Sequence, residues 1–260
     1  MKLDWNRLRQ HEKRIIETRF ETFPELPDKY TCYSPEYVGF HSRRFAVLVQ
    51  ILEQLDVTEK SEVLDIGPTY TSKMFADHFK CRVDSLSFSE DEETPFGTNF
   101  KFDLNRAQFP DLHRKDLKQY DVVVMAEVIE HLYTAPKVVM AYLRTLVKPG
   151  GYLVVQTPNA LGLKMRIQLL LGKHPYEEIS PEPESPNHYR ENTLAELTRY
   201  AQEAGFNVVH NAHYNYFNPT YRQNNQRIRP WMGKIYFKFS DFLPAKMKRG
   251  LMVVGQNPKS

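Results

Sequence analysis

The chain has 260 residues, of which 41% are hydrophobic, and a formal net charge of +3. That length suits one α/β domain with additions better than two complete domains. Two cysteines are too few for a disulfide framework, the charged N-terminus differs from a signal peptide, and no apolar run reaches the roughly 20 residues that span a bilayer. We therefore expect a cytoplasmic protein that is soluble or lies peripherally at the inner surface of the membrane.

The positive charge is concentrated near the C-terminus. Residues 219–260 contain nine Lys and Arg and one Asp, which gives this segment +8 and leaves −5 for residues 1–218. A basic segment with interleaved aromatic residues suits a cap with an aromatic core, an anionic membrane surface or a groove that stacks nucleic-acid bases. Nucleic acid is the least favoured of the three, and contact with a membrane or a lipid carrier stays an expectation. The aromatic residues are Tyr221, Trp231, Tyr236, Phe237, Phe239 and Phe242.

Hydrophobic periodicity predicts alternating strands and helices along the chain. Residues 1–35 predict an N-terminal helical extension, and Ser42–Leu55 predicts a second helix with one apolar face. The continuous apolar run at 120–126 is typical of a strand buried on both faces of a parallel sheet. Other predicted helices cover 71–79, 134–147, 159–173 and 193–204, and other predicted strands cover 62–66, 82–88, 99–103, 152–157, 206–210 and 251–255.

The strand at 62–66 ends in the turn Asp65-Ile66-Gly67-Pro68, and a helix follows at once. Gly67 supplies the backbone freedom that a tight turn needs, and Pro68 removes an amide donor and so helps to end the strand. A strand, a tight turn and a helix in succession open a doubly wound nucleotide-binding sheet. Asp65 could cap the amides of this turn without any ligand, but its place at a sheet edge favours a binding site.

A second motif lies at the end of the strand at 120–126. That strand delivers Glu127, Glu130 and His131 to its carboxyl end, the edge where open α/β sheets bind ligands. Glu130 and His131 suit a general-base pair. They also suit an acid at a helix start beside a histidine packed under the sheet edge, and this structural interpretation is favoured, with the general-base pair as the alternative.

An inserted segment at residues 160–190 separates the fifth and sixth predicted strands. It contains most of an amphipathic helix and a proline-rich loop, and His188 follows that loop. As a lid, the segment would close over a substrate and bring His188 to the chemistry. As a linker, it would leave His188 in a polar loop, and the sequence fits both possibilities.

Together these passages resemble class I S-adenosylmethionine-dependent methyltransferases. The turn at 65–67 resembles their first motif, residues 121–132 resemble their fourth motif, and Lys148-Pro-Gly-Gly151 with the apolar residues after it resembles the turn into the next strand. Residues 190–206 resemble the passage before their sixth strand. The resemblance covers about residues 62–210 and implies S-adenosyl-L-methionine as the cofactor.

The resemblance also implies which residues contact the cofactor. Its aminoacyl part would lie beside the first turn and its adenine beside the end of the third strand, while the end of the fourth strand would flank the cofactor and His131 would stand near the transfer pocket. Ser87 stands where the family usually has an acid that binds both ribose hydroxyls, and a serine makes only neutral hydrogen bonds there. The implied binding residues are Asp65, Gly67, Pro68, Thr69, Ser87, Asp103, Leu104, Ala126 and Glu127, and the candidates for catalysis are His131, His188 and Glu130.

The glycine motif of the family is degenerate in this chain. Thr69 and Thr71 occupy two of its glycine positions, and both are β-branched residues that resist positive φ. Their Cβ atoms also take up space where the cofactor approaches the backbone. We expect cofactor binding to be retained, and the alternative is a methyltransferase-like binding module that serves a partner protein.

These predictions combine into one Rossmann-like α/β fold. We expect a doubly wound sheet of seven mostly parallel strands, the last antiparallel, with helices on both faces. The expected regions are a helical extension and cap at 1–58, a methyltransferase-like core at 59–213 that includes the 160–190 lid, and a basic aromatic tail at 214–260 that includes the last strand. The expected function is methyl transfer to a small-molecule or saccharide-containing acceptor, without a metal.

Overall fold

The computed structural model of the chain describes residues 1–18, 35–68, 70–180, 187–218, 221 and 239–259. Within these ranges the strands form one sheet, with helices on both faces. The helices are α1 (Trp5–Thr18), α2 (Pro35–Gln54), α3 (Tyr70–Phe79), α4 (Pro136–Thr145), α5 (Leu163–Leu170) and α6 (Leu194–Glu203). The strands are β1 (Glu62–Ile66), β2 (Arg82–Ser87), β3 (Glu92–Thr94), β4 (Gly97–Lys101), β5 (Tyr120–Ala126), β6 (Val147–Pro158), β7 (Asn207–Tyr214) and β8 (Gly250–Gln256).

The order of the strands across the sheet is β3-β4-β2-β1-β5-β6-β8-β7. Neighbours from β4 to β6 are parallel, and β8 is antiparallel to both β6 and β7. The predicted mostly parallel Rossmann-like sheet with an antiparallel last strand is therefore confirmed. After β1 the chain forms β2, β3 and β4 on one side of β1, and β5 then pairs with the opposite side of β1. Open α/β sheets bind ligands at such a switch, outside the carboxyl ends of the strands.

Alternate residues of the central strands pack into two hydrophobic cores, one on each face of the sheet. In β1, Val63 faces the core formed with α1, α2 and α3, whereas Leu64 and Ile66 face the core formed with α4 and α6. Side chains alternate along a strand, so one continuous apolar run can fill both cores. The strands are thereby fixed on both faces, and their polar residues are left at the carboxyl edge.

Strand β3 corrects the predicted count of seven strands. The acidic run at 90–93 carries no strand pattern, but Glu92–Thr94 pairs antiparallel with β4 at the edge of the sheet. Charged side chains are tolerated on an edge strand because they reach water. Gly97 allows the tight turn between β3 and β4, because a Cβ at this position would lie 2.4 Å from the carbonyl oxygen of Val83.

Two helices also differ in extent from the prediction. Helix α2 begins at Pro35 rather than Ser42, because proline suits the first turn of a helix and Glu36 adds a carboxylate near the positive end of the helix dipole. Helix α5 is shorter than predicted and begins at Leu163. The side chain of Asn159 instead donates hydrogen bonds to the carbonyls of Lys246 and Lys248, in the turn before β8, at 3.2 and 2.7 Å.

Helix α1 lies within the predicted N-terminal extension, and residues 19–34 of that extension lie outside the described residues. Leu8 and Ile15 are 1% and 5% exposed and pack in the same core as α2. Burying each such side chain contributes about 1.5–3 kcal/mol, which secures α1 to the domain. None of the helices in the described ranges combines the length and the hydropathy that a bilayer crossing requires.

Candidate functional site

Asp65 lies at the carboxyl end of β1 and is only 1% exposed. Its Oδ2 accepts hydrogen bonds from Thr71 Oγ1 at 2.7 Å and from Ser72 Oγ at 2.6 Å, both in the first turn of α3. Burial raises the pKa of Asp65 to about 7, although these two hydroxyls and the charge of Arg44 oppose the rise. Thr71 therefore orients the carboxylate from within a helix, so its position does not require positive φ.

Glu127 follows directly after β5 and has a φ of +58°. A non-glycine residue in this region costs about 1–3 kcal/mol, and such residues concentrate at functional sites. Its backbone N–H donates to the carbonyl of Gln156 at 2.8 Å, which holds the turn against β6. Its Oε1 is buried and has no hydrogen-bond partner among the described residues. Burial raises the pKa of Glu127, and Arg44 opposes the rise.

Arg44 connects the two carboxylates, and the sequence analysis missed it. It projects from α2, its side chain is 3% exposed, and its Nη1 lies 3.5 Å from Glu127 Oε2. Its charge also acts on Asp65. The available signal was an arginine pair, Arg43-Arg44, directly before the apolar part of a helix that was predicted to pack on the sheet. A buried cation needs buried carboxylates nearby, and these are supplied by strands far away in the sequence.

Glu130 is fully buried in the short turn that follows β5. Its Oε2 accepts a hydrogen bond from Thr157 Oγ1 at 2.8 Å, and its Oε1 has no partner within the described part of the chain. Burial raises the pKa of Glu130 to about 8, and the charge of Glu127 adds to the rise. The backbone carbonyl of Glu130 accepts hydrogen bonds from the amides of Tyr189 and Arg190, at 2.8 and 3.3 Å.

Those two backbone bonds bring His188 next to His131. The rings meet edge to face with centroids 4.8 Å apart. His131 Nδ1 lies 3.3 Å from the carbonyl oxygen of Asn187, and His188 Nδ1 lies 3.1 Å from Glu191 Oε1. Burial lowers the pKa of His188, but the hydrogen bond to Glu191 and the charge of Glu130 raise it above its ordinary value overall. The three residues predicted as candidates for catalysis therefore form one cluster.

The first turn has the conformation that its glycine predicted. Gly67 has a φ of +68°, and its N–H donates to the carbonyl of Leu86 at 2.9 Å. A Cβ at this position would lie 2.9 Å from Val128 Cγ2, so a larger residue would collide with the β5 turn. Pro68 follows and is partly buried, while Thr69 lies outside the described residues.

The predicted binding residues at the ends of β2 and β4 are engaged within the protein. Ser87 Oγ donates to Asn99 Oδ1 at 2.9 Å and accepts from the Ser89 N–H at 3.1 Å. Asp103 Oδ1 accepts from the Asn105 N–H at 2.8 Å and so caps a 3₁₀ turn. Leu104 is 4% exposed and belongs to the hydrophobic core. Backbone groups, rather than the Leu104 side chain, are what this turn can offer to a ligand.

Ala126 is the last residue of β5 and is 9% exposed. It lies between the buried part of β5 and Glu127, whose backbone is strained. Its small side chain adds little bulk at the carboxyl end of the strand. Sequence reasoning missed several polar residues at this edge, because they come from other elements of the fold and no local sequence pattern indicates them. They are Arg44, Gln156, Glu191 and Asn192.

Comparison with known proteins relates this geometry to a family. Residues 40–211 match the family model described as a methyltransferase domain. A protein of Mycolicibacterium smegmatis named "Probable S-adenosylmethionine-dependent methyltransferase" is 32% identical over 143 residues, which is 55% of this chain and 49% of that protein. A ubiquinone biosynthesis O-methyltransferase of Burkholderia pseudomallei is 33% identical over 90 residues, which is 35% of this chain and 38% of that protein. The chain thus spans half or less of the length of these curated relatives.

Solved structures support the fold. A SAM-dependent methyltransferase from Archaeoglobus fulgidus has a TM-score of 0.51 and 16% identity, covering 82% of this chain and 94% of that one. The [4+2]-cyclase SpnF has the same TM-score of 0.51 at 11% identity, covering 83% of this chain and 82% of that one. The shared sheet therefore does not by itself specify a reaction. The family match covers most of the chain, and on that basis the chain belongs to the methyltransferase-domain family.

Proposed function

We propose that this protein transfers a methyl group from S-adenosyl-L-methionine to a small-molecule or saccharide-containing acceptor. One observation carries the proposal. The buried carboxyl of Asp65 and the largely buried carboxyl of Glu127 stand at the carboxyl ends of adjacent parallel strands at the topological switch of the sheet. The cluster of Glu130, His131 and His188 lies beside them.

The residues at this edge fit a cationic ligand such as the cofactor. Glu127 Oε1 is buried and without a hydrogen-bond partner among the described residues, so it can accept a hydrogen bond from an ammonium group. Gly67 keeps the facing turn free of a side chain. When bound, S-adenosylmethionine supplies an electrophilic methyl group on a positively charged sulfur. The protein then has to hold an acceptor atom in line with that methyl group.

The histidine cluster can remove a proton from a hydroxyl acceptor. The Asn187 carbonyl can only accept a hydrogen bond, so the nearby Nδ1 of His131 carries the proton and a neutral ring has Nε2 unprotonated. An unprotonated Nε2 is the atom that acts as a general base, and general-base catalysis contributes about a hundredfold or more. His188 and Glu130 stand close enough to share this role, since the ligand atoms of all three lie within 4.8 Å of one another.

Two observations support an oxygen acceptor of modest size. The Burkholderia relative is named an O-methyltransferase of ubiquinone biosynthesis. In this chain the last two residues of the inserted segment, Tyr189 and Arg190, donate to the Glu130 carbonyl, and Thr157, shortly before the segment, bonds to the Glu130 side chain, so the segment begins near the cluster and ends beside it. A segment placed in this way can cover a small acceptor and exclude water.

Exposed apolar residues in two segments that also carry lysines support peripheral contact with a membrane or a lipid-linked acceptor. At the end of α5, Leu170 and Leu171 are 86% and 66% exposed, and in the C-terminal region Phe242 is 84% exposed. Hydrogen bonds from Asn159 to the carbonyls of Lys246 and Lys248 join the residues before α5 to the turn before β8. Exposed leucine and phenylalanine beside lysines suit an anionic lipid surface.

Thermal unfolding in the presence of S-adenosylmethionine or S-adenosylhomocysteine tests the proposal. A ligand at a hundred times its dissociation constant adds about 2.7 kcal/mol to the free energy of unfolding. We expect both ligands to raise the midpoint of unfolding. No shift at millimolar ligand would favour the alternative, a methyltransferase-like binding module that serves a partner protein.

A further inference from the structure

The cluster of Glu130, His131 and His188 has the composition of a metal centre. Each residue offers one ligand atom, and the three atoms lie within 4.8 Å of one another. Two imidazole nitrogens and one carboxylate oxygen are a common set for zinc in sites that keep a position open for a substrate. Other divalent transition metals accept the same ligands.

Both imidazole rings have the outer partners that metal-bound histidines usually have. His131 Nδ1 lies 3.3 Å from the Asn187 carbonyl, and His188 Nδ1 lies 3.1 Å from Glu191 Oε1. A carbonyl or carboxylate on Nδ1 fixes the tautomer, so that Nε2 carries the lone pair that binds metal. The side chain of Glu191 is only 7% exposed, so this partner of His188 is held inside the protein.

Glu130 supplies a second, independent observation that favours a bound cation. The residue has no solvent exposure, and its Oε1 has no hydrogen-bond partner within the described ranges. Its other oxygen is held by Thr157 at 2.8 Å. A buried carboxylate oxygen without a partner is costly unless it binds a cation or a proton.

The surrounding charge points in the same direction. Glu127 lies close enough to Glu130 for their charges to interact, Glu191 interacts with Glu127 in the same way, and Glu127 and Glu191 each have one buried carboxylate oxygen without a partner in the described residues. Arg44 offsets part of this charge, but its contact is with Glu127, at 3.5 Å. A divalent cation among three carboxylates and two imidazoles would offset the remainder.

A second group of similar composition shows, by comparison, what distinguishes the proposed metal site. His11, Glu53 and His78 also bring their ligand atoms together. There, however, the guanidinium of Arg7 lies 2.8 Å from Glu53 Oε1 and already neutralises the carboxylate. That group is therefore an ion-pair network between helices and serves as an internal control.

We infer that Glu130, His131 and His188 bind a divalent transition metal, with zinc the best match to the ligand set, and that an acceptor hydroxyl takes an open position on it. Ligand atoms would have to move together by about 1 Å to reach zinc distances of roughly 2.0–2.2 Å. A coordinated hydroxyl loses its proton to solvent more readily, because the metal stabilises the oxyanion. The inference that the metal binds does not depend on the proposed function, whereas the role of the metal toward the acceptor rests on it. In the metal-bound protein these three residues are ligands, so the metal takes over the proton-removing role that the metal-free cluster has in the proposed function, and this inference replaces the expectation of a metal-free site.

Isothermal titration of the chelator-treated full chain with Zn²⁺ tests the inference, with no S-adenosylmethionine present. We expect one equivalent to bind, and we expect His188→Ala and Glu130→Gln each to weaken binding at least tenfold. The matched control His78→Ala should bind zinc as the wild type does. Circular dichroism checks that each variant folds.

A spectroscopic measurement covers the case in which a variant fails to fold. Co²⁺ added to the wild-type chain should give the visible absorption bands of a low-coordinate nitrogen and oxygen site, and excess Zn²⁺ should remove them. Absence of stoichiometric zinc binding, or zinc binding that His78→Ala removes and His188→Ala leaves intact, overturns the inference. A separate titration with S-adenosylmethionine distinguishes the two proposals, since either ligand can bind when the other does not.

Discussion

Replacing Arg44 with methionine removes a buried cation that lies between carboxylates from two strands. Arg44 Nη1 is 3.5 Å from Glu127 Oε2, and the two side chains are 3% and 16% exposed. Removing one partner of a buried ion pair costs about 3–5 kcal/mol, because the other charge stays buried without compensation. We expect Arg44→Met to lower the free energy of unfolding by that amount, about 3–5 kcal/mol, at pH 8.

The size of this loss should depend on pH. Arg44 stabilises the ionised carboxylates, so its contribution is present above their folded-state pKa, which for Asp65 is about 7. Below that pH the carboxyl of Asp65 is protonated and no longer attracts the guanidinium. One pH unit corresponds to about 1.4 kcal/mol for each titrating group, so the deficit at pH 8 should exceed the deficit at pH 6 by about 1–2 kcal/mol.

Urea unfolding followed by circular dichroism at pH 6 and pH 8 measures both effects. The matched control is Lys13→Met, which removes an exposed partner of Glu17 at 3.6 Å and should cost less than about 1 kcal/mol at either pH. A deficit for Arg44→Met below about 1 kcal/mol, or one that does not change with pH, would refute the assignment of a buried charge cluster.

Three further substitutions test separate parts of the account. Gly67→Ala places a Cβ at positive φ and 2.9 Å from Val128 Cγ2, so it should lower the free energy of unfolding in urea by about 1–3 kcal/mol. It should also weaken S-adenosylmethionine binding at least tenfold, and an unchanged affinity would show that this turn does not contact the cofactor. Thr193→Ala removes the capping hydroxyl of α6 and should cost about 1 kcal/mol while leaving that affinity unchanged, and a large loss of affinity would mean that the cap belongs to the site. Phe242→Ser should reduce sedimentation with vesicles of anionic phospholipid, because Phe242 is 84% exposed, and equal sedimentation of both proteins would count against a membrane-facing surface.

Local signals predicted the elements that depend on local chemistry. The apolar run of β1, the glycine after it and the start of the helix predicted at 193–204, where the structure has a capping box, each depend on a few neighbouring residues, and the structure confirms all three. In the capping box, the Thr193 side chain accepts from the Glu196 N–H at 3.3 Å and Glu196 Oε2 accepts from the Thr193 N–H at 2.9 Å. Such contacts can be inferred from spacing alone.

Contacts that depend on the assembled sheet could not be inferred in this way. Strand β3 exists because β4 offers an edge to pair with, and its acidic sequence carries no strand pattern. Arg44 is buried because Glu127 reaches it from a strand in another part of the chain. His131 and His188 were each predicted as candidates, but their meeting depends on backbone bonds to Glu130 that only the folded chain shows.

Direct titration of the protein with S-adenosylmethionine tests the central claim, that the edge between β1 and β5 binds this cofactor. The wild-type chain should bind one equivalent, and Glu127→Gln should weaken binding at least tenfold, because Glu127 Oε1 then becomes part of a neutral amide. Glu203→Gln, on the exposed end of α6, should bind as the wild type does. Failure of the wild-type chain to bind at millimolar concentration, or equal affinities for all three proteins, would contradict the account.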